Sequence, residues 1–150
     1  MSTPQLTEAQ RKRIEGAMST VPFARLLGIK LDSIEPGGAT LSLEIKEDFK
    51  QNNGVVHGGV IAALIDSATA FAIVPLLAAE ERTTTVDLTI SYLRPLVSGA
   101  MVATAKVVRE GRRLIVVSAD LADGKGNLAA TALSTYIRLT KNGPNGPNNS

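Results

Sequence analysis

Apolar residues recur along the chain with two different periods, and each change of period marks an element. Ile14, Ala17 and Met18 fall on one side of a helical repeat, with Thr7 placed as N-cap and Glu8 in the first turn, which predicts a short amphipathic helix. Ile29–Ile34 and Ala39–Ile45 read as two strands joined by the turn Glu35-Pro36-Gly37-Gly38. From Val60 to Ala79 the apolar pattern becomes continuous, and Asp66 is the one charge in it. Val86, Leu88, Ile90 and Tyr92 then alternate with Asp87, Thr89 and Ser91, a half-buried strand ending at Pro95. Met101–Val108 and Leu114–Leu121 flank Arg109-Glu110-Gly111-Arg112 as a hairpin, and Asp123-Gly124-Lys125-Gly126 turns into a last strand over Leu128–Leu139. Consecutive hairpins predict an antiparallel sheet, and the long apolar helix must lie against it, an α+β arrangement of two layers.

Twenty apolar residues are about enough to cross a bilayer. Asp66 lies well inside this run, however, Pro75 interrupts it, and several of its residues are small or polar. A core helix is therefore expected rather than a membrane span. Residues 1–20 hold the first helix and its lead-in, without the apolar stretch of a signal peptide, so the cytoplasm is the expected compartment. Residues 21–140 form the folded domain, and 141–150, rich in Gly, Pro and Asn, are expected to be a disordered tail.

Composition narrows the chemistry. The 150 residues include nineteen Ala but only three Phe, two Tyr and no Trp. So much small apolar material predicts an interior that one chain does not fill alone, with faces buried against another copy. Sixteen Lys and Arg against fourteen Asp and Glu, with few aromatics, exclude the basic stripe and stacking surface of a nucleic-acid binder. The absence of Cys excludes a thiol nucleophile and thiolate metal sites, and a single His excludes a multi-His zinc centre. Neither a metal nor a cofactor is expected. No G-x-S-x-G elbow is present for a serine hydrolase.

The candidate chemistry concentrates in Gln51–Ala70, QNNGVVHGGVIAALIDSATA. His57-Gly58-Gly59 opens the long helix, whose first N–H groups lack internal partners and carry the positive end of the helix dipole. The glycines either leave those groups open to an anionic oxygen or simply let the helix start in tight quarters. An ionised carboxylate in an apolar run is costly to bury without partners. Asp66 is therefore either a functional group or a structural one bonded to backbone or Thr69. Its helical neighbours Gly59, Ala62, Ala63, Thr69, Ala70 and Ile73 form a mostly small-residue stripe with room beside it, while Ile61, Leu64, Ile65 and Ala68 form the apolar back. Eight residues separate Gly58 from Asp66, ~12 Å along the axis at about 1.5 Å per residue. One carbonyl cannot touch both. Either the two groups are unrelated, or a site takes Gly58 from one chain and Asp66 from another across a two-fold axis.

The pattern Gln51…Gly54-Val55-Val56-His57-Gly58-Gly59…Asp66, followed by Thr85-Val86-Asp87-Leu88-Thr89-Ile90-Ser91-Tyr92-Leu93-Arg94-Pro95, resembles the PaaI-like acyl-CoA thioesterases of the hotdog superfamily. The resemblance spans residues ~20 to 139 by pattern and periodicity. It implies a long central helix wrapped by an antiparallel sheet, a homodimer that pairs into a tetramer as a dimer of dimers, and active sites at the dimer interface. It further implies that Asp66 is the catalytic carboxylate, as nucleophile or general base, and that Gly58 N–H polarises the thioester carbonyl. Gln51 would contact the carbonyl or the attacking water, and His57 would orient the turn. Thr85, or Thr84 if the register is offset by one, would position the water. Gly59 and Ala70 would line the acyl site. Coenzyme A would bring phosphates; Arg94 and the Arg112-Arg113 pair are candidates to meet them, hairpin arginines also being ordinary solvated surface. The implied function is hydrolysis of aryl- or medium-chain acyl-CoA. The alternative is a hotdog module that binds acyl-CoA without cleaving it.

Overall fold

In the computed structural model, which describes residues 5–140, Thr7 caps α1 (Glu8–Thr20) as expected, its hydroxyl accepting from Gln10 N–H while the Gln10 side chain accepts from Thr7 N–H. Ile14 and Met18 are buried; Ala17, expected beside them, is exposed. The expected tail at 141–150 lies outside the described residues. Pro22 occupies the start of the short α2 (Pro22–Leu27), and Gly28 ends it in the left-handed conformation, φ 78°.

Strands β1 (Lys30–Glu35) and β2 (Gly38–Glu44) form the first hairpin. Then come α3 (Gly58–Ile73) and four strands: β3 (Glu81–Tyr92), β4 (Ala100–Glu110), β5 (Leu114–Asp123) and β6 (Leu128–Thr140). One six-stranded sheet results, ordered β1-β2-β4-β5-β6-β3 and antiparallel throughout. The sheet wraps α3, giving the α+β hotdog arrangement. Gly58–Leu76 is long and apolar enough to span a membrane by length and composition. Its Leu64, Ile65, Ala68, Ala72 and Ile73 are nevertheless fully buried inside the protein.

Part of the alanine lines the helix–sheet interior. Ala103, Ala105, Ala119, Ala130 and Ala132 belong to the buried core on three neighbouring strands. Small side chains there let α3 sit close to the sheet. The stripe around Asp66 is also smaller than expected. Thr69 and Ile73 are buried with the apolar back, leaving Gly59, Ala62, Ala63, Asp66 and Ala70 on the partly open face.

Strand β3 starts earlier than its alternation predicted, and Val86 is not an inward residue. Thr85 pairs with Tyr136 and Asp87 with Thr135, so Val86 is the extra residue of a β-bulge and is 59% exposed. The inward-facing Ser134 hydroxyl, fully buried, donates to the Asp87 carbonyl at 3.0 Å and satisfies backbone beside the irregularity.

Candidate active site

Two groups of chemistry-bearing residues occupy different turns of α3. The first surrounds its N-terminus. Gln51 N–H donates to Val55 O at 2.8 Å and Gly54 N–H returns to Gln51 O at 3.0 Å, with Gly54 at φ 82°. His57 N–H to Phe49 O (2.8 Å) and Val56 N–H to Leu96 O (2.9 Å) tie this loop to its surroundings. His57 is the N-cap: its Nδ1 accepts from Gly59 N–H at 2.8 Å, so a neutral ring carries its proton on Nε2. Val60 N–H bonds back to His57 O at 3.0 Å. Sequence reading left both glycine amides open, but Gly59 is occupied by this cap. Gly58 N–H is the amide without an intrahelical acceptor.

Gly58 has a second reason to be glycine. The Tyr92 hydroxyl donates to Gly58 O at 3.1 Å, and a Cβ on Gly58 would stand 3.3 Å from the Tyr92 ring and hydroxyl. Around this pair lies a cleft of about 590 Å³ lined by Gln51, His57, Gly58, Gly59, Tyr92 and Arg94, among others.

The second group lies two turns along the helix. Asp66 is half-buried rather than enclosed, because the sheet covers one side of α3 and leaves this one partly open. Its carboxylate takes two hydrogen bonds, from Thr85 Oγ1 at 3.0 Å and Tyr136 OH at 3.2 Å, and both reach Oδ1. Among the described residues none reaches Oδ2. The Thr69 hydroxyl lies 3.0 Å from the Asp66 backbone carbonyl and 2.7 Å from Tyr136 OH, so it does not hold the carboxylate directly. With Thr69 donating to Tyr136, the single phenolic proton is shared between the Asp66 backbone carbonyl at 3.0 Å and Oδ1 at 3.2 Å, the ionised oxygen being the stronger acceptor. Burial pushes the Tyr136 hydroxyl up to about 12, and the nearby Asp66 charge acts in the same direction. Tyr136 therefore stays a neutral donor at neutral pH. Of the two candidate threonines, Thr85 faces Asp66, while Thr84 is exposed on the other side of the strand.

The arginines divide between opposite ends of the sheet. Arg94 lines the cleft and its N–H bonds to Ala129 O; Arg113 O accepts from Arg138 N–H. Nine residues of β6 separate those anchors, about 30 Å at ~3.4 Å per residue. Arg112 and Arg113 are exposed and do not join Arg94 around one site within the chain. Ala70 is half-buried one turn beyond Asp66. Sequence reasoning passed over Tyr92 and Tyr136, which looked like ordinary alternating strand residues. What distinguishes them is which backbone each hydroxyl meets across the sheet and helix.

One chain thus presents a helix-terminal amide suited to polarising a carbonyl and, separately, an oriented carboxylate suited to attack or proton abstraction. A model of the thioesterase superfamily matches residues 53–130. Acyl-coenzyme A thioesterase 13 of Homo sapiens is 32% identical over 135 residues, covering 87% of this chain and 94% of that protein. The medium/long-chain acyl-CoA thioesterase YigI of Salmonella typhimurium is 28% identical, over 88% of this chain and 96% of that protein. Among solved structures, the PaaI protein of E. coli superposes with a TM-score of 0.79 at 22% identity, over 86% of this chain and 92% of that one. A thioesterase of Haemophilus influenzae gives 0.82 at 21% identity, over 95% and 97%. The chain belongs to the thioesterase superfamily, as a thioester hydrolase with the hotdog fold.

Proposed function

We propose that the protein is a cytoplasmic, cofactor-free acyl-CoA thioesterase whose active site is completed by a second copy of the chain. The observation that carries this is the placement of Gly58 N–H and the Asp66 carboxylate two turns apart on partly open stretches of α3, residues ~12 Å apart along the axis, too far for one carbonyl to touch both. Strand β3 supports it: twelve residues long, it ends the sheet with one side unpaired among the described residues. Pairing of β3 with its copy about a two-fold axis would extend the sheet and set two α3 helices antiparallel. An axis placing Gly58 opposite Asp66 of the second copy crosses α3 near Ala62. Since Gly58 meets Tyr92 and Asp66 meets Thr85, it crosses β3 near Leu88 and Thr89. Further pairing into a tetramer, as a dimer of dimers, is part of the same proposal.

In this arrangement the thioester oxygen lies against Gly58 N–H, helped by the helix dipole. Oδ1 of Asp66 is fixed by Thr85 and Tyr136, so Oδ2 is presented to the carbonyl carbon or to a water beside it. Direct attack would form a mixed anhydride that water then opens; abstraction would deliver hydroxide to the carbonyl, and in both routes the thiolate leaves. A thioester suits such sparse machinery, because its carbonyl has weak resonance stabilisation and its thiolate is a good leaving group. Gln51, which lines the cleft, would contact the carbonyl or the water.

The test is thiol release from a panel of acyl- and aroyl-CoAs, with wild type and Asp66→Asn. Activity that falls about a hundredfold or more in the variant is expected. Unchanged turnover would remove Asp66 from the chemistry, and wild-type binding of acyl-CoA without thiol release would identify a binding module. Mixing Gly58→Val and Asp66→Asn chains tests the shared site. Heterodimers should recover part of the activity, and no recovery would count against two-chain assembly.

A further inference from the structure

A second cavity opens on the other side of the α3 N-terminus. It is a groove of about 480 Å³ between α2 and α3, with Phe23 and Leu26 on one wall, Val60 and Ala63 on the other, and Phe49 among its remaining lining. The first cleft and this groove share His57 and Gly59. Gly59 lacks a side chain on the ridge between them, where a Cβ would press on His57 Nδ1 at 3.0 Å. Both cavities mix apolar and polar lining: the cleft carries Gln51 and Arg94, and the groove sets Lys46 and Asp48 beside its apolar walls, Lys46 lying over the Phe49 ring at 5.6 Å. Helix α2 also breaks the usual polarity of a surface helix. Ala24 and Leu27 point inward, and Phe23 and Leu26, three residues apart on the opposite side, are 53% and 71% exposed. Such an apolar pair facing water beside a cavity marks a surface that has something to cover.

We infer that this groove is the acyl-chain subsite, and that Phe23 and Leu26 set its preference for aliphatic chains of medium length. The inference rests on the proposed thioesterase reading. With the reacting carbonyl at Gly58, the cleft, which holds Arg94 for a phosphate, takes the coenzyme A side and the groove takes the acyl side. Phe23 and Leu26 close over the chain from above, and Val60 and Ala63 form the floor. The groove is lined by about one turn of α3, Gly59, Val60 and Ala63, and across from it by Phe23, Leu26 and Leu27 of α2, so an acetyl group is too short to fill it. A medium chain reaches both apolar side chains, and each methylene buried there is worth roughly fourfold in affinity.

Thiol release is measured across straight-chain acyl-CoAs from acetyl to dodecanoyl for wild type, Leu26→Glu, Phe23→Ser and the control Val108→Ser, an exposed apolar change on β4. Binding of the uncleavable thioethers S-ethyl- and S-decyl-coenzyme A is measured in parallel, with oligomeric state by light scattering. The wild type should favour decanoyl over acetyl. Leu26→Glu should cut that preference in kcat/KM at least tenfold, with the same loss in S-decyl over S-ethyl affinity, while Val108→Ser keeps the wild-type ratio. A wild type without chain preference, an unchanged ratio in both α2 variants, or a ratio shifted equally by Val108→Ser would overturn the inference. So would α2 variants that dissociate and lose all substrates alike, which would make Phe23 and Leu26 a subunit contact. If no acyl-CoA is cleaved, the thioesterase reading fails; the thioether affinities then still report whether the groove holds an alkyl chain.

Discussion

Thr85 on β3 donates a hydrogen bond to Oδ1 of Asp66 on α3 across 3.0 Å, even though Val86, Leu88, Ile90 and Tyr92 alternate in the phase that would turn Thr84 inward instead. The bulge at Val86 reverses the phase between Thr85 and Leu88, so the odd-numbered Thr85 and the even-numbered Leu88 share the helix-facing side. Thr85→Val should lower kcat about tenfold, the equivalent of one hydrogen bond to a charged group, and Thr84→Val should leave it within about twofold. Steady-state kinetics on the two variants decides which threonine serves the carboxylate.

That geometry depends on Ser134. Its hydroxyl satisfies the Asp87 carbonyl next to the bulge from a fully buried position. Ser134→Ala should destabilise the fold by about 1–2 kcal/mol in urea unfolding and lower kcat as Thr85 loses its placement. An equal fall in stability with unchanged kcat would separate the bulge from the site.

His57 is expected to act as a cap rather than a proton carrier. Asn supplies a comparable acceptor for Gly59 N–H and Ala does not. His57→Ala should cost about 1 kcal/mol of stability and lose activity, and His57→Asn should recover most of both. Equal inactivation of the two variants, with the helix intact by circular dichroism, would instead point to chemistry at the ring.

Tyr136 gives a prediction at alkaline pH. Its folded-state value, about 12, lies above the ordinary value of 10, so the folded protein holds the phenolic proton more tightly than the unfolded chain. The resulting stabilisation, at most about 3 kcal/mol, is fully present below pH 10 and is lost as the pH rises from 10 to 12. Tyr136→Phe should flatten the fall in stability across that window, read from denaturation midpoints. The variant should also lower kcat, because Oδ1 of Asp66 then keeps only the Thr85 bond.

Glu81 contributes in the opposite direction at low pH. The Ala78 N–H, then Arg138, whose guanidinium lies 2.8 Å from it, holds its carboxyl below the usual range. Stability should therefore fall as the pH drops through the depressed value, and Glu81→Gln should blunt that fall in acid denaturation curves.

Much of the organisation is local and was legible in the sequence. Thr7 caps α1, Gly37 turns the first hairpin, and an apolar run with one aspartate forms the central helix, because caps, turns and periodicity act over a few residues. The separation of Gly58 from Asp66 followed from helix geometry alone. Only the tertiary structure decided which groups meet them. A single bulge inverts the strand alternation after Thr85, and Tyr136, seventy residues from Asp66 along the chain, reaches it through sheet register. Tyr92 packs over Gly58 for the same reason, and Ala103, Ala105, Ala119, Ala130 and Ala132 let α3 settle onto its own sheet. Periodicity records which side chains turn inward, but the partner each one finds is set by register and by helix–sheet distance, which depend on contacts between residues far apart in the chain.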